Sequence, residues 1–126
     1  MSDFHRFHDQ DLESGWCLLG SDGQERKVKL LIGETLLGRS AAGLTIGRHA
    51  ALCELVLGDS TVSRRHLRIG RSGDGLFAED TNSLNGTLLD GARLRPFEPV
   101  NLYEGAELTI GAVVLTLGRM SEPQGA

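Results

Sequence analysis

Three short stretches of the 126-residue chain gather side chains that donate hydrogen bonds and carry almost no acceptor charge. Gly47-Arg48 closes the apolar run Leu44-Thr45-Ile46. Ser63-Arg64-Arg65-His66 follows, with Ser63 fifteen positions after Arg48, and Asp80-Thr81-Asn82-Ser83-Leu84-Asn85-Gly86-Thr87 comes later. Arg48, Ser63, Arg64 and Asn85 all fall at strand ends or loops and offer donors in quantity. Such a set suits a tetrahedral dianion. A phosphorylated side chain carries about −1.5 to −2 charges and three acceptor oxygens. Arg48 can give it a forked pair of charge-assisted bonds, Ser63 a hydroxyl donor, and loop N–H groups more.

Other chemistries fit less well. Ser63-x-x-His66 invites a hydrolase reading, but a nucleophile needs an oriented base and an oxyanion site. Residues three apart on a strand also face opposite ways. No catalytic residue is assigned, and the chain is expected to be no enzyme. His5 and His8 are three apart, yet no carboxylate or thiol pattern completes a metal site, so neither metal nor cofactor is expected. Cys17 and Cys53 make no disulfide framework and are expected to behave as small buried hydrophobes.

The elements that must position these residues read as β. Hydrophobic residues make up 40% and charged ones 24%, enough for a core and an ordinary surface, and 17 Gly punctuate the chain. Strands are expected at Trp16–Leu19, Lys27–Ile32, Leu36-Leu37, Leu44–Ile46, Glu54–Leu57, His66–Ile69, Leu76–Glu79, Thr87–Leu89, Val100–Leu102, Glu107–Ile110 and Val113–Leu117. Asn85-Gly86 and Asp90-Gly91 read as hairpin turns. His49–Cys53 has room for one helical turn, too short to carry a fold. Ten or eleven short strands without a long helix mean a β-sandwich or barrel.

Net charge is −4, divided as −5 over residues 1–25 and +1 over 26–126. Within 39–71, six Arg face only Glu54 and Asp59, and eleven of the thirteen bases are Arg. That points to an anionic partner gripped in bidentate fashion. Nucleic acid is disfavoured: the chain is acidic overall and no basic surface interleaved with aromatics is evident. No apolar run of membrane-spanning length exists and no export signal is seen, so no membrane partner is expected and the cytoplasm is the expected location.

The ordered set Gly47-Arg48, Ser63-x-x-His66 and Ser83-x-Asn85-Gly86-Thr87 closely resembles the forkhead-associated (FHA) domain, over roughly residues 16–118. The resemblance implies an all-β, about eleven-stranded antiparallel β-sandwich (FHA/SMAD-like) that binds phosphothreonine peptides through loops at one end. Phosphopeptide capture by Arg clusters is a recurrent recognition mode. By the same resemblance, Arg48 and Ser63 hold the phosphate, Arg64 adds a basic contact and Asn85 bonds the peptide backbone. Gly47 admits a tight backbone path, His66 braces the Ser63 loop, and Ser83, Gly86 and Thr87 support the site. Preference for phosphothreonine over phosphoserine would come from a small pocket for the γ-methyl.

Two departures stand out. The family frequently has Thr where this chain has Leu84, which keeps only its backbone N–H for the phosphate, a loss of about 1 kcal/mol. A second Gly-Arg, Gly38-Arg39, lies farther from Ser63 and fits the spacing less well. The organisation implied is a flexible acidic tail over 1–14, the FHA domain over 15–119 and a C-terminal tail over 120–126. The tail's acids would screen the Arg cluster. The function implied is a signalling adaptor downstream of Ser/Thr kinases, monomeric, whose partner is a threonine-phosphorylated protein. The alternative is an FHA scaffold that associates with itself or a partner without phosphate.

Overall fold

In the computed structural model the described residues are 15–38 and 42–120. Among them run eleven strands and one short helix. In chain order these are β1 (Gly15–Ser21), β2 (Lys27–Gly33), α1 (Glu34–Gly38), β3 (Leu44–Gly47), β4 (Leu55–Val56), β5 (Leu67–Ser72) and β6 (Gly75–Asp80). Then come β7 (Thr87–Leu89), β8 (Ala92–Arg93), β9 (Val100–Leu102), β10 (Glu107–Ile110) and β11 (Val113–Met120). One sheet has six strands in the order β2-β1-β11-β10-β7-β8, the other five in the order β4-β3-β5-β6-β9. The pairs are antiparallel except β3 and β4, which run parallel through Ile46–Leu55 and Gly47–Val56.

Alternation along the strands builds the core. On β11, Val113, Leu115 and Leu117 are buried while Val114 and Thr116 are exposed. Leu18, Ile32, Leu108 and Ile110 join them from the six-stranded sheet and meet Ile46, Leu67, Ile69 and Leu76 from the five-stranded one. Each such aliphatic side chain contributes about 1.5–3 kcal/mol on leaving water. A one-residue slip would turn this set to solvent, so the register is tightly specified.

The all-β sandwich anticipated from the turn-punctuated runs is the fold, with the parallel β3–β4 pair as an unanticipated detail. Asp90 (φ 50°) and Gly91 (φ 84°) make the two-residue turn between β7 and β8, as the dipeptide predicts. Asn85-Gly86 does not: only Gly86 has positive φ, and the pair lies in the connection from β6 to β7. Leu36-Leu37, expected as a strand, belongs to α1, where Leu37 packs into the core. His49–Cys53 holds a single hydrogen-bonded turn, Leu52 N–H to His49 O at 3.0 Å. The tails expected over 1–14 and 120–126 lie outside the described residues apart from Met120.

Candidate functional site

The loops that follow β3, β4, β6 and β10 gather at one end of the sandwich and are tied to one another. Main-chain bonds set the base. His66 N–H donates to Ile46 O at 2.8 Å, Arg48 N–H to Ser63 O at 2.9 Å and His49 N–H to Arg64 O at 3.2 Å. This close approach demands a glycine at 47. A Cβ there would stand 2.2 Å from Arg64 O and 2.9 Å from Cys53 Sγ. The Arg48 Nε–H then donates to Val62 O at 3.0 Å, which turns the guanidinium along the 59–63 loop. Arg48 therefore lies against the loop that carries Ser63.

His66 is fully buried beneath that loop. Its Nδ1 accepts the Ser63 N–H at 3.0 Å, so the ring proton sits on Nε2, which donates to Gly86 O at 2.9 Å. Burial pushes the His66 imidazole below its ordinary value, although Gly86 O and the Asp80 charge favour the protonated form. The neutral ring thus bridges the Ser63 and Gly86 loops. Because both nitrogens serve the backbone, neither is available as a base for Ser63 Oγ, and the hydrolase geometry is not formed. Ser63 Oγ instead accepts the Leu84 N–H at 3.0 Å, leaving the hydroxyl proton to donate elsewhere.

Asp80 shapes the 80–87 loop from within. It accepts the Asn82 and Ser83 N–H groups, each at 3.0 Å, the Ser83 hydroxyl at 2.5 Å and the Thr87 hydroxyl at 2.6 Å. Burial raises the carboxyl's pKa. The Ser83 and Thr87 hydroxyls and the Ser83 N–H outweigh that and hold Asp80 below the usual carboxylate range. A second carboxylate, Asp59, fastens the neighbouring loop. It accepts the Thr61 hydroxyl at 2.5 Å, the Thr61 N–H at 2.9 Å and the Gly23 N–H at 3.3 Å, and the Thr61 bonds lead in keeping it ionised. Asn85 Nδ2 joins the two loops by donating to Thr61 O at 2.7 Å.

Between these loops opens a groove of about 620 Å³. Arg48, Ser63, Arg64, Leu84 and Asn85 all line it, with Arg65, Asn82, Thr61 and Leu52 among the others, and among the described residues no acidic side chain does. Gly47, His66, Ser83, Gly86 and Thr87, expected as supports, lie outside the lining and beneath it. Two site residues are engaged in ways the sequence did not indicate: the Leu84 N–H meets Ser63 Oγ, and one arm of the Asn85 amide meets Thr61 O. The Leu84 side chain is 85% exposed on the groove wall.

Sequence reasoning gave no role to Arg65 or Asp80. Arg65 was visible as the second base of Arg64-Arg65. Asp80 was visible as an Asp three residues before Ser83, the spacing of a side chain that caps its own loop. Arg39, His5 and His8 lie outside the described residues. Among the described residues no cluster of three or more His, Cys, Asp or Glu could hold a metal, and no helix is long and apolar enough to cross a membrane.

The family model of the FHA domain matches residues 44–111, which hold every groove residue named above. An FHA domain-containing protein of Arabidopsis thaliana is 32% identical over 79 residues, 63% of this chain and 20% of that protein. A structure from work on phosphothreonine-dependent FHA domain interactions superposes with TM-score 0.62 at 27% identity, covering 88% of this chain and 99% of that one. The solution structure of the FHA domain of an Arabidopsis thaliana hypothetical protein superposes with TM-score 0.69 at 26% identity, covering 91% and 93%. The chain spans about a fifth of the length of the curated relative it matches.

Proposed function

The chain belongs to the FHA family, and from that premise we propose that it docks threonine-phosphorylated proteins as a signalling adaptor downstream of Ser/Thr kinases, without catalysing a reaction. The observation that carries this reading is the groove lined by both Arg48 and Ser63 and, among the described residues, by no acidic side chain. After its Nε–H bond to Val62 O, the Arg48 guanidinium keeps four N–H donors, enough for a forked grip on two phosphate oxygens. The Ser63 hydroxyl supplies one further proton and Arg64 a second positive charge. Asn85, held at Thr61, offers its remaining amide oxygen to the peptide backbone. The FHA relative solved for phosphothreonine-dependent interactions supports the same ligand class. We place the recognition unit at residues 15–119, flanked by tails over 1–14 and 120–126, and read it as a cytoplasmic monomer.

Fluorescence titration with peptides that differ only in carrying Thr, phosphoserine or phosphothreonine tests the proposal. The phosphothreonine form is expected to bind tightest. Arg48→Ala or Ser63→Ala should weaken it, Arg48→Ala by about a hundredfold, with thermal midpoints near that of the unaltered protein. Equal binding by the unaltered protein and both variants means the site is misassigned. Tight binding of the unphosphorylated peptide, indifferent to Arg48→Ala, replaces the reading with a phosphate-independent scaffold.

A further inference from the structure

Three of the nine described arginines pair with a carboxylate. Arg26 pairs with Asp22, Arg68 with Glu79 and Arg71 with Glu34. Among the described residues the three in the groove have no such partner, and outside it Arg93, Arg95 and Arg119 have none either. Among the described residues no carboxylate forms a salt bridge with Arg48, Arg64 or Arg65, and no acidic residue lines the groove. The groove thus presents three positive charges, whereas one phosphate brings about −1.5 to −2. At least one cation is left over when a single phosphate is bound. Arg48 and Arg64 flank Ser63, the expected phosphate anchor, and Arg65 is the remaining one.

The position of Arg65 is fixed through its main chain. Its carbonyl accepts the Thr81 hydroxyl at 3.2 Å, which ties the stem of Arg65 to the start of the 80–87 loop. Asn82, in the left-handed region at φ 66°, lines the same groove. A peptide whose phosphate lies at Arg48 and Ser63, and whose backbone is held at Asn85, must pass along this wall. Unpaired guanidinium groups at a recognition surface select for carboxylate or phosphate oxygens.

Resting on the phosphothreonine reading, we infer that the groove selects peptides carrying a second anionic group near the phosphothreonine, and that Arg65 reads that group. The group is a carboxylate of Asp or Glu, or a second phosphate; both present oxygen pairs that a guanidinium can fork. Arg65 is then a specificity-determining residue, separable from the phosphate anchor.

The test uses the full chain and four otherwise identical phosphothreonine peptides. One has alanine flanks, one a flanking Asp, one a flanking Glu and one a flanking phosphoserine, each acidic group scanned over the positions on either side. An acid-bearing peptide is expected to bind about five- to tenfold more tightly than the alanine-flanked one. Arg65→Ala should erase that advantage and leave the alanine-flanked peptide's affinity within twofold. A larger gain from Asp or Glu names carboxylate as the source, and a larger gain from phosphoserine names a second phosphate. Equal affinity for all four peptides, or an advantage that survives Arg65→Ala, overturns the inference and leaves the phosphothreonine site standing. Failure of every phosphopeptide to bind better than its unphosphorylated form overturns the underlying reading as well.

Discussion

Two buried carboxylates hold the loop end together by different means. Asp80 is 2% exposed and gathers donors from its own loop: Asn82, Ser83 and Thr87. Asp59 is 9% exposed and works outward, joining Thr61 to Gly23 in the β1–β2 turn. Thr61 Oγ1 in turn accepts the Ala112 N–H at 2.7 Å from the β10–β11 turn. Among the described residues the Asp80 carboxylate therefore bonds only within its own loop, whereas Asp59 serves both its own loop and the β1–β2 turn. The two loops are in turn joined to each other, through Asn85 to Thr61 O, the Leu84 N–H to Ser63 Oγ and the His66 ring to Gly86 O.

This contrast can be broken by mutation. Asp80→Ala removes the shared acceptor of four hydrogen bonds and leaves buried donors unpaired, so it should destabilise the fold by about 3–4 kcal/mol in urea unfolding. Asp59→Ala should cost less, about 1–2 kcal/mol, because fewer donors are involved and they lie nearer solvent. Equal losses in the two variants would abolish the distinction.

The smallest effect is a dependence on pH that sharpens it. Both carboxylates are held below their ordinary range, so their contributions are complete above about pH 3.9 and lost only as acid reaches the lowered folded values. His66 is also lowered, so the unfolded chain takes up its proton first. Its contribution is complete above about pH 6.5 and declines as pH falls, by no more than about 1.4 kcal/mol between pH 6.5 and 5.5. Urea unfolding at pH 7.5 and 5.5 should show this decline, and His66→Gln should flatten it. An unchanged slope in that variant assigns the decline to another group.

Much of this was legible in the chain. The period-2 runs located ten of the eleven strands, because one buried face imposes alternation that composition alone preserves. Arg48, Ser63 and Asn85 were legible as a set of donors at strand ends and loops, and the fold brings all three to one groove. Other features were not. Leu36-Leu37 is an apolar pair that suits a helical turn as well as a strand, and only tertiary packing of Leu37 decides between them. β8 is two exposed residues, Ala92-Arg93, too short to show any period. The Asn85–Thr61 bond spans 24 positions, so no local pattern encodes it. The balance of burial against hydrogen bonding at His66 likewise depends on what the fold places around the ring.

The bond from Arg48 Nε to Val62 O bears on how fast and how tightly a ligand is caught. A long side chain that must be immobilised at docking forfeits roughly 0.5–1.5 kcal/mol of rotational freedom. Here that loss is already incurred when the free protein folds. An arriving ligand meets a charge already aimed, so differences in affinity among ligands should appear mainly in how slowly they leave.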